Sequence, residues 1–203
     1  MKRHPAIAII ELSDIASGMF VTDKMVKRSP ISLLKSGIIS QGRYLVMIGG
    51  STAAVDEAYD EGSFWGKDSI IDRVTLPDIH PQLHDAVLGE RNTGNAGAMA
   101  IIETSTVSCN VRAAELALKA TPINLVEISI AASPLAGKGV SVFRGELHDI
   151  EAAVDIAVSF LRQAGMVFSY RIIPAPHDGF VQQVESGLYF RDNGALDMKG
   201  EEG

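Results

Sequence analysis

The chain repeats itself after about ninety residues, and this repeat constrains the fold more than any other feature of the sequence. Placing residues 6–34 over residues 98–126 without a gap gives 10 identical residues in 29 positions. The match resumes after small offsets, for example with Gly50 over Gly145. A period of this length is too long for a solenoid repeat and long enough for a small domain. We therefore predict a tandem duplication of one unit.

The duplication divides the 203 residues into two domains with short connecting segments. The predicted boundaries are residues 5–88 for the first domain, 89–96 for a polar linker, 97–184 for the second domain and 185–203 for a polar tail. Each unit alone could bury only a modest core. We therefore expect the two units to pack on each other or on other subunits.

Composition excludes several classes of partner. An apolar fraction of 46% and a charged fraction of 21% are typical of a soluble protein. A net charge of -7 without a cluster of Lys and Arg argues against nucleic acid as a partner. No apolar run approaches the roughly 18 residues needed to span a bilayer, and residues 1–5 lack the apolar stretch of a secretion signal. We expect a cytoplasmic protein without a membrane partner.

Hydrophobic spacing predicts the same element order in both units. In the second unit the predicted elements are, in order, a strand over 98–103, a helix over 111–120, strands over 125–130 and around 140–142, a helix over 150–161 and a strand over 168–172. In the first unit the predicted strands are 6–11, 33–39, 44–48 and 70–76, with helices near 20–28 and 53–64. This β-α-β-β-α-β order is that of the ferredoxin-like α+β fold, in which helices cover one face of an antiparallel sheet.

Two histidines and two glutamates are candidates for chemistry. His80 and His84 are four residues apart, which on a helix would place both on one face as metal ligands. No nearby Glu or Cys completes a ligand set, so we favour a strand-end role for His80 and a surface position for His84. Glu11 and Glu103 each close the first strand of a unit, where a buried carboxylate could act as acid or base. Because both copies carry it, we favour a shared structural role, accepting backbone N–H bonds from a loop or a neighbouring unit.

The single cysteine and the glycine-bearing loops do not indicate an active site. Because Cys109 is the single cysteine, the chain cannot form an intrachain disulfide. Cys109 has no candidate His partner in its own segment, so its predicted role is packing. The stretch 136–139 is too short for a phosphate loop and lies at a predicted hairpin tip. We therefore expect neither enzymatic activity nor a resident metal.

Four segments carry a resemblance to a known family. They are Ala-Ile-Ala-Ile-Ile-Glu at 6–11, Met-Val-Lys-Arg-Ser-Pro-Ile-Ser-Leu-Leu at 25–34, Leu-His-Asp-Ile-Glu-Ala-Ala-Val at 147–154 and Ile-Ile-Pro-Ala-Pro-His at 172–177. Over about residues 5–184 the chain resembles the shell proteins of bacterial microcompartments, in the unpermuted strand order. It is most similar to their tandem-domain class, and in pattern to the propanediol-utilisation type that carries an iron–sulfur cluster at its pore.

The resemblance implies a structural protein. Three chains would supply six units around an axis and form a homotrimeric, pseudohexameric tile with a central pore for small polar metabolites. Other shell proteins would be its partners, and its location would be the microcompartment shell in the cytoplasm. A closed ring of three chains presents each pore residue three times, so one side chain per loop sets the lining of the channel.

The resemblance also places the pore at the hairpin tips between the second and third strand of each unit. The implied pore-lining residues are, in chain order, Ile39, Ser40, Gln41, Ser133, Pro134 and Leu135. Arg43 and Lys138 would add positive potential nearby and favour anionic or hydroxylated metabolites. Because the second loop is three residues longer, we expect a pore with threefold rather than sixfold symmetry.

Two departures from the family pattern change what the resemblance implies. The cluster-binding member has cysteine where Ser40 stands, and a serine hydroxyl is a poor substitute for the thiolate that iron–sulfur clusters require, so we expect no cofactor. The family's arginine in the Pro-Arg-Pro-His ending, which helps tiles meet, is replaced by Ala175 and, in the first unit, by Asp78. The implied assembly-edge residues are Lys27, Lys119, Asp78, Ala175, His80 and His177.

One function of a different class remains as an alternative. Paired ferredoxin-like domains could form a small-molecule-binding regulatory protein or an enzyme, with the ligand between the units. A stable monomer or dimer that binds a metabolite tightly would favour this alternative, whereas trimers that form discs or sheets would favour the shell protein.

Overall fold

Each unit contains a four-stranded antiparallel sheet with two helices on one face. The computed structural model describes residues 3–130, 135–196 and 198. The elements of the first unit are β1 (Ala6–Leu12), α1 (Ile15–Arg28), β2 (Leu33–Ile38), β3 (Tyr44–Gly50), α2 (Thr52–Gly66) and β4 (Ile70–Pro77), followed by α3 (Pro81–Val87). Those of the second unit are β5 (Ala98–Thr104), α4 (Val107–Ala120), β6 (Asn124–Ser129), β7 (Gly139–Gly145), α5 (Leu147–Gln163) and β8 (Phe168–Ile173), followed by α6 (Asp178–Ser186). The predicted order is confirmed in both units.

The strands are arranged in the same way in the two sheets. Their orders are β2-β3-β1-β4 and β6-β7-β5-β8, and all neighbouring strands are antiparallel. Ile10 pairs with Arg73, and the counterpart Ile102 pairs with Tyr170. Helix α1 joins two parallel strands that lie on either side of β3, which is the split β-α-β arrangement of the ferredoxin-like fold. The predicted fold class is therefore confirmed.

The central strands are apolar on both faces because both faces are covered. Every residue of β1 is buried. Ala8 and Ile10 pack with residues of α1 and α2, whereas Ile7 and Ile9 belong to a cluster that includes Leu83 of α3. Burial of one such isoleucine contributes about 2 kcal/mol. Because Leu83 of α3 and Val184 of α6 each belong to a buried cluster, the helix that follows each sheet is part of the core. No helix in the described ranges is long and apolar enough to cross a membrane.

Three of the observed helices begin three or more residues before their predicted starts, and the smallest of these differences is at α5, which begins at Leu147 rather than 150. Helix α1 begins at Ile15 because Asp14 caps it, with Oδ1 accepting a hydrogen bond from Ser17 N at 2.8 Å. Asp is a preferred N-cap residue, so this start had a sequence signal. Helix α4 begins at Val107 rather than 111, and its first turn contains the polar but buried Ser108 and Asn110. Their burial depends on the other unit and on strand β7, which periodicity does not report.

Helices α3 and α6 were not among the predicted elements. Each follows a histidine whose Nδ1 accepts a backbone hydrogen bond, from Gln82 N to His80 at 3.3 Å and from Gly179 N to His177 at 3.1 Å. Both histidines therefore act as N-caps of short helices. Through Val184, α6 covers the face of the second sheet that is opposite α4 and α5.

Candidate functional site

The tips of the two β-hairpins touch each other within one chain. In the first tip, Gln41 and Gly42 both have positive φ, at 66° and 71°. In the second tip, the equivalent Ala136 and Gly137 have φ of 50° and 80°. Gly137 N donates a hydrogen bond to Ser40 Oγ at 3.0 Å. The resemblance implies that these two unlike loops both lie at the pore. Within the described residues, the two loops are in contact.

The predicted pore-lining residues differ in their exposure. Gln41 is exposed, and Ser40 and Leu135 are half-buried. Ile39 is only 6% exposed and packs in the core with Leu45 and Met47. The remaining two predicted residues, Ser133 and Pro134, lie outside the described residues. The hydroxyl of Ser40 and the amide of Gln41 are the groups at the first tip that can hydrogen-bond a polar solute.

The two predicted near-pore charges are engaged with the protein. Lys138 Nζ lies 2.6 Å from Glu103 Oε1, and both side chains are about half exposed. Arg43 lies against the backbone of Gly137, so closely that a Cβ on that glycine would be 2.8 Å from its Nη1. Arg43 is half-buried and Nη1 has no hydrogen-bond partner among the described residues. The ion pair reduces the positive charge that Lys138 presents, and Arg43 reaches toward the other unit.

The contact between the two units, which we call the seam, forms where β1, β4 and residues 78–80 of the first unit meet α4 of the second. Glu11 is fully buried at its centre, and Oε1 accepts a hydrogen bond from Ser108 N at 2.6 Å. Beside it, Thr106 Oγ1 donates to Asp72 Oδ2. Burial raises the pKa of Glu11 to about 7, although the bond from Ser108 and the charge of Arg43 act in the opposite direction.

The predicted structural role of the strand-end glutamates is confirmed for Glu11. Its carboxylate accepts a backbone N–H from the neighbouring unit, at the positive end of helix α4. The counterpart Glu103 does not repeat this contact in the chain and instead pairs with Lys138. The cross-unit partner Ser108 could not be found from sequence, since 97 residues separate it from Glu11.

Three of the predicted edge residues come together at one end of the seam. Lys119 Nζ donates to the carbonyl oxygen of Asp78 at 2.6 Å and lies 2.7 Å from Glu115 Oε1. The carboxylate of Glu115, which is 1% exposed, accepts from His80 N at 3.0 and 3.2 Å. Burial lowers the pKa of His80. Asp78 has φ of 81°, so this corner of the chain is held in a left-handed conformation that the contacts with α4 support.

The other three predicted edge residues lie at exposed counterparts of this corner. Lys27 pairs with Asp23 of its own helix at 2.7 Å, as Lys119 pairs with Glu115. Ala175 and His177 follow β8 as Asp78 and His80 follow β4, and both are exposed. Within the described residues, therefore, one corner is occupied by helix α4 and the equivalent corner is exposed.

Helices α4 and α1 differ in burial although they are copies of one another. Val111 and Leu118 of α4 are 0% and 4% exposed, because α4 lies in the seam. Their counterparts in α1, Met19 and Val26, are 56% and 38% exposed. A single chain thus buries one copy of this helix face and leaves the other to solvent.

The second predicted metal candidate, His84, is buried rather than at the surface. Its Nε2 accepts a hydrogen bond from His4 N at 3.0 Å, and its Nδ1 lies 3.0 Å from Asp85 Oδ1. The surface assignment of His84 is therefore wrong, since the N-terminal segment covers the ring. Across the ranges described, no group of three or more His, Cys, Asp or Glu is placed to hold a metal ion.

Arg91 holds the segment between the units in place, and no motif in the sequence singles this residue out. Arg91 Nε donates to Glu127 Oε2, and its two other nitrogens donate to the carbonyl oxygens of Glu185 and Val184 at the end of α6. Gly94 N also donates to Glu185 Oε1 at 2.7 Å. The middle of the segment predicted as a linker, residues 91–94, is therefore hydrogen-bonded to the second unit, whereas Gly89 and Glu90 are bonded to α3.

Comparison with known proteins identifies two copies of one family domain. A family model described as the BMC domain matches residues 6–79 and 98–176. The chain is 34% identical over 182 residues to a protein of Citrobacter freundii named bacterial microcompartment shell protein PduT, a match that covers 90% of this chain and 98% of that protein.

Solved structures give the same result for the fold. A microcompartments protein from Desulfitobacterium hafniense DCB matches with a TM-score of 0.77 and 30% identity, over 87% of this chain and 98% of that one. A fused permuted hexameric shell protein from the RMM microcompartment matches with a TM-score of 0.55 and 21% identity, over 79% and 85% of the two chains. The second likeness concerns the fold alone.

Proposed function

The chain belongs to the BMC-domain family of bacterial microcompartment shell proteins, and from this premise we propose that three copies close into a pseudohexameric shell tile with a central pore. The tile is a structural element without enzymatic activity, located in the shell in the cytoplasm. It joins other shell proteins at its perimeter, and small polar metabolites pass through its centre.

The observation that carries this proposal is the unequal burial of the two copies of one helix face. The seam joins β4 and its corner to α4, and the chain has one further copy of each half, namely β8 with its corner and the exposed face of α1. A contact that joins one end of a chain to the other end of the next is heterologous, and such contacts form rings when the rotation closes. Three two-unit chains give six units, which is the number in a hexagonal tile.

The pore proposal rests on the hairpin tips. Ser40 and Gln41 present polar groups, and three copies would place three of each around the axis. Because Lys138 is paired with Glu103 and Arg43 reaches toward Gly137, the polar groups of the first tip determine selectivity more than net positive charge does. We expect hydroxylated solutes to pass more readily than apolar ones.

The residues present do not fit the iron–sulfur cluster of the related type. Ser40 offers a hydroxyl, and its Oγ already accepts a hydrogen bond from Gly137 N. Cys109 is 5% exposed, and burial raises the pKa of its thiol to about 12, whereas cluster ligands are thiolates. We propose that the tile carries no cluster. Iron analysis after anaerobic purification, with visible absorbance, should give no signal, and one cluster per trimer would refute this point.

The test of the tile is its mass and shape in solution. We expect a species of three times the 21.7 kDa chain mass, and discs or sheets of regular tiles in electron micrographs at high protein concentration. A chain that stays monomeric or dimeric at all concentrations and binds a metabolite tightly would contradict the proposal.

The test of the pore uses assembled shells. Replacing Ser40 and Gln41 together by leucine should slow entry of a hydroxylated solute without changing the tile mass. Glu103→Gln is the matched control, since it alters the neighbouring ion pair and keeps the polar tip. Equal flux through wild-type and leucine-bearing shells would remove Ser40 and Gln41 from the pore.

A further inference from the structure

A cleft of about 360 Å³ opens beside the seam and is lined by both units. The first unit contributes Asp72, Arg73 and Tyr59, and the second contributes Arg112 and Phe160. The guanidinium of Arg73 lies 5.6 Å from the centre of the Tyr59 ring. The seam inside the chain is therefore rich in charged and polar groups at this place.

The counterparts of Asp72, Arg73, Arg112 and Phe160 lie on β8 and on the exposed faces of α1 and α2, which we call the unmatched surfaces, and they have a different chemistry. The equivalent pairs, written with the cleft residue first, are Arg112 and Phe20, Phe160 and Trp65, Asp72 and Ser169, Arg73 and Tyr170, and Thr75 and Ile172. The strand pairing supports this correspondence, because Arg73 and Tyr170 occupy the same register position in their sheets. The three charged residues of the cleft, Asp72, Arg73 and Arg112, are thus replaced by uncharged ones, whereas the buried Val74 is replaced by the exposed Arg171.

The aromatic half of this surface is formed before any partner binds. The rings of Phe20 and Trp65 meet edge to face with centroids 5.6 Å apart, and Lys24 Nζ lies 5.1 and 4.8 Å from the two ring centres. Phe20 and Trp65 are 47% and 44% exposed. On the other half, Tyr170 stacks with Phe168 at 6.5 Å, and both are half-buried. Exposed aromatic side chains of this kind mark an interaction surface rather than ordinary protein surface.

We infer that Phe20 and Trp65 of one chain pack on Tyr170 and Ile172 of a second copy, so that the seam between chains is an aromatic contact where the seam inside the chain is polar. The inference rests on the proposed ring and names the contact that closes it. The occupant is a second copy because the chain itself supplies both halves, and because the loss of Arg112 on one half is matched by the loss of Asp72 on the other. The charges of Asp72, Arg73 and Arg112 have no counterpart at their own positions in this arrangement, so no ion pair is needed there.

The two unlike seams have a consequence for assembly. Pairing an aromatic half with a polar half would bury Arg112 or Asp72 against apolar groups, which is unfavourable. The chain therefore disfavours an exchange of partners between the polar seam and the aromatic seam. Lys24 is half-buried in the single chain, with its charged end over the two rings of the aromatic pair.

Trp65 is the only tryptophan, so its fluorescence reports on this contact directly. On dilution through the dissociation of the trimer, we expect the emission maximum to move to longer wavelength and iodide quenching to rise, in step with the loss of mass. Phe20→Ala and Tyr170→Ala should each weaken association by about tenfold or more, as truncation of an aromatic anchor does. Because the two side chains touch each other in the contact, the double variant should lose less than the product of the single losses.

Phe64→Ala is the matched control. Phe64 is 67% exposed, and its counterpart Ser159 is exposed and does not line the cleft. Because the Phe64 ring meets Trp65 edge to face with centroids 5.3 Å apart, the control is read by the association constant and not by Trp65 emission. This variant should therefore keep the wild-type association constant. If the wild type is a trimer and Phe20→Ala behaves like Phe64→Ala, or if Trp65 emission is the same in trimer and monomer, the aromatic contact is refuted and the tile stands. If the wild type does not form a trimer, the tile itself fails.

Discussion

Glu11 and Glu103 are the same residue at the same position of two copies of one unit, yet the chain treats them differently. Glu11 is fully buried, accepts the backbone N–H of Ser108 and has its pKa raised to about 7 by burial. Glu103 is about 40% exposed and pairs with Lys138. The difference lies in what the other unit places beside them. Glu11 lies against the other unit, whereas Glu103 does not. The difference in burial of the two glutamates therefore shows that a single chain forms this contact at one of the two equivalent positions.

The largest expected effect compares the two copies of the buried helix face. Leu118→Ala removes a side chain that is 4% exposed in the core between the units and should lower the free energy of unfolding by about 4 kcal/mol. Val26→Ala, at the counterpart position with 38% exposure, should lower it by about 0.5 kcal/mol or less. Urea unfolding at concentrations where the protein is monomeric measures both. Equal losses would mean that α1 is as buried as α4.

The second effect compares the two glutamates over pH. Because the pKa of Glu11 is higher in the folded protein than its ordinary value of 4.5, the folded state holds a proton that the unfolded chain releases. Stability from this group is complete below about pH 4.5 and is lost as the pH rises to about 7, by about 3 kcal/mol in total. Glu11→Gln should remove this loss and flatten the stability profile between these pH values, whereas Glu103→Gln should not change its slope. A wild-type profile already flat in this range would contradict the prediction.

The smallest effect compares the two lysines at the corners. Lys119→Ala removes the partner of the buried Glu115 and of the Asp78 carbonyl, and it should cost about 1 to 2 kcal/mol. Lys27→Ala breaks an ion pair in which the lysine is 71% exposed, and in the monomer the loss should be close to zero. Thermal unfolding at low concentration distinguishes them. In the trimer, Lys27→Ala should weaken association, because its corner would then be occupied.

The sequence predicted what each unit does by itself. The β-α-β-β-α-β order follows from strand and helix periodicities that lie within one unit. The duplication allowed each element to be predicted twice, once in each unit. The starts of helices were less accurate, since Ser108 and Asn110 are polar residues in a buried first turn of α4. Short helices such as α3 were missed because their cap is a histidine ring, a rare cap that no usual N-cap preference indicates.

What could not be predicted was the set of contacts between the units. Glu11 and Ser108, like Lys119 and Asp78, become neighbours only when α4 packs on β4. Nothing in the spacing of an isolated segment reports such a partner. Strand β6 shows the same limit, since its charged residue Glu127 is only 9% exposed and pairs with Arg91, which is 36 residues away in the sequence.

Because residues 89–95 connect the two units covalently, the seam inside the chain forms within a single molecule. Held by Arg91 and Gly94, this segment keeps β4 and α4 together at an effective concentration that is about millimolar for short connections. A contact formed under that condition needs little intrinsic affinity, so it can tolerate a buried carboxylate such as Glu11. In the proposed tile the other seam has no such tether and must assemble from dilute chains. Because of the covalent linkage, half of the seams in the proposed tile do not need to bind tightly on their own.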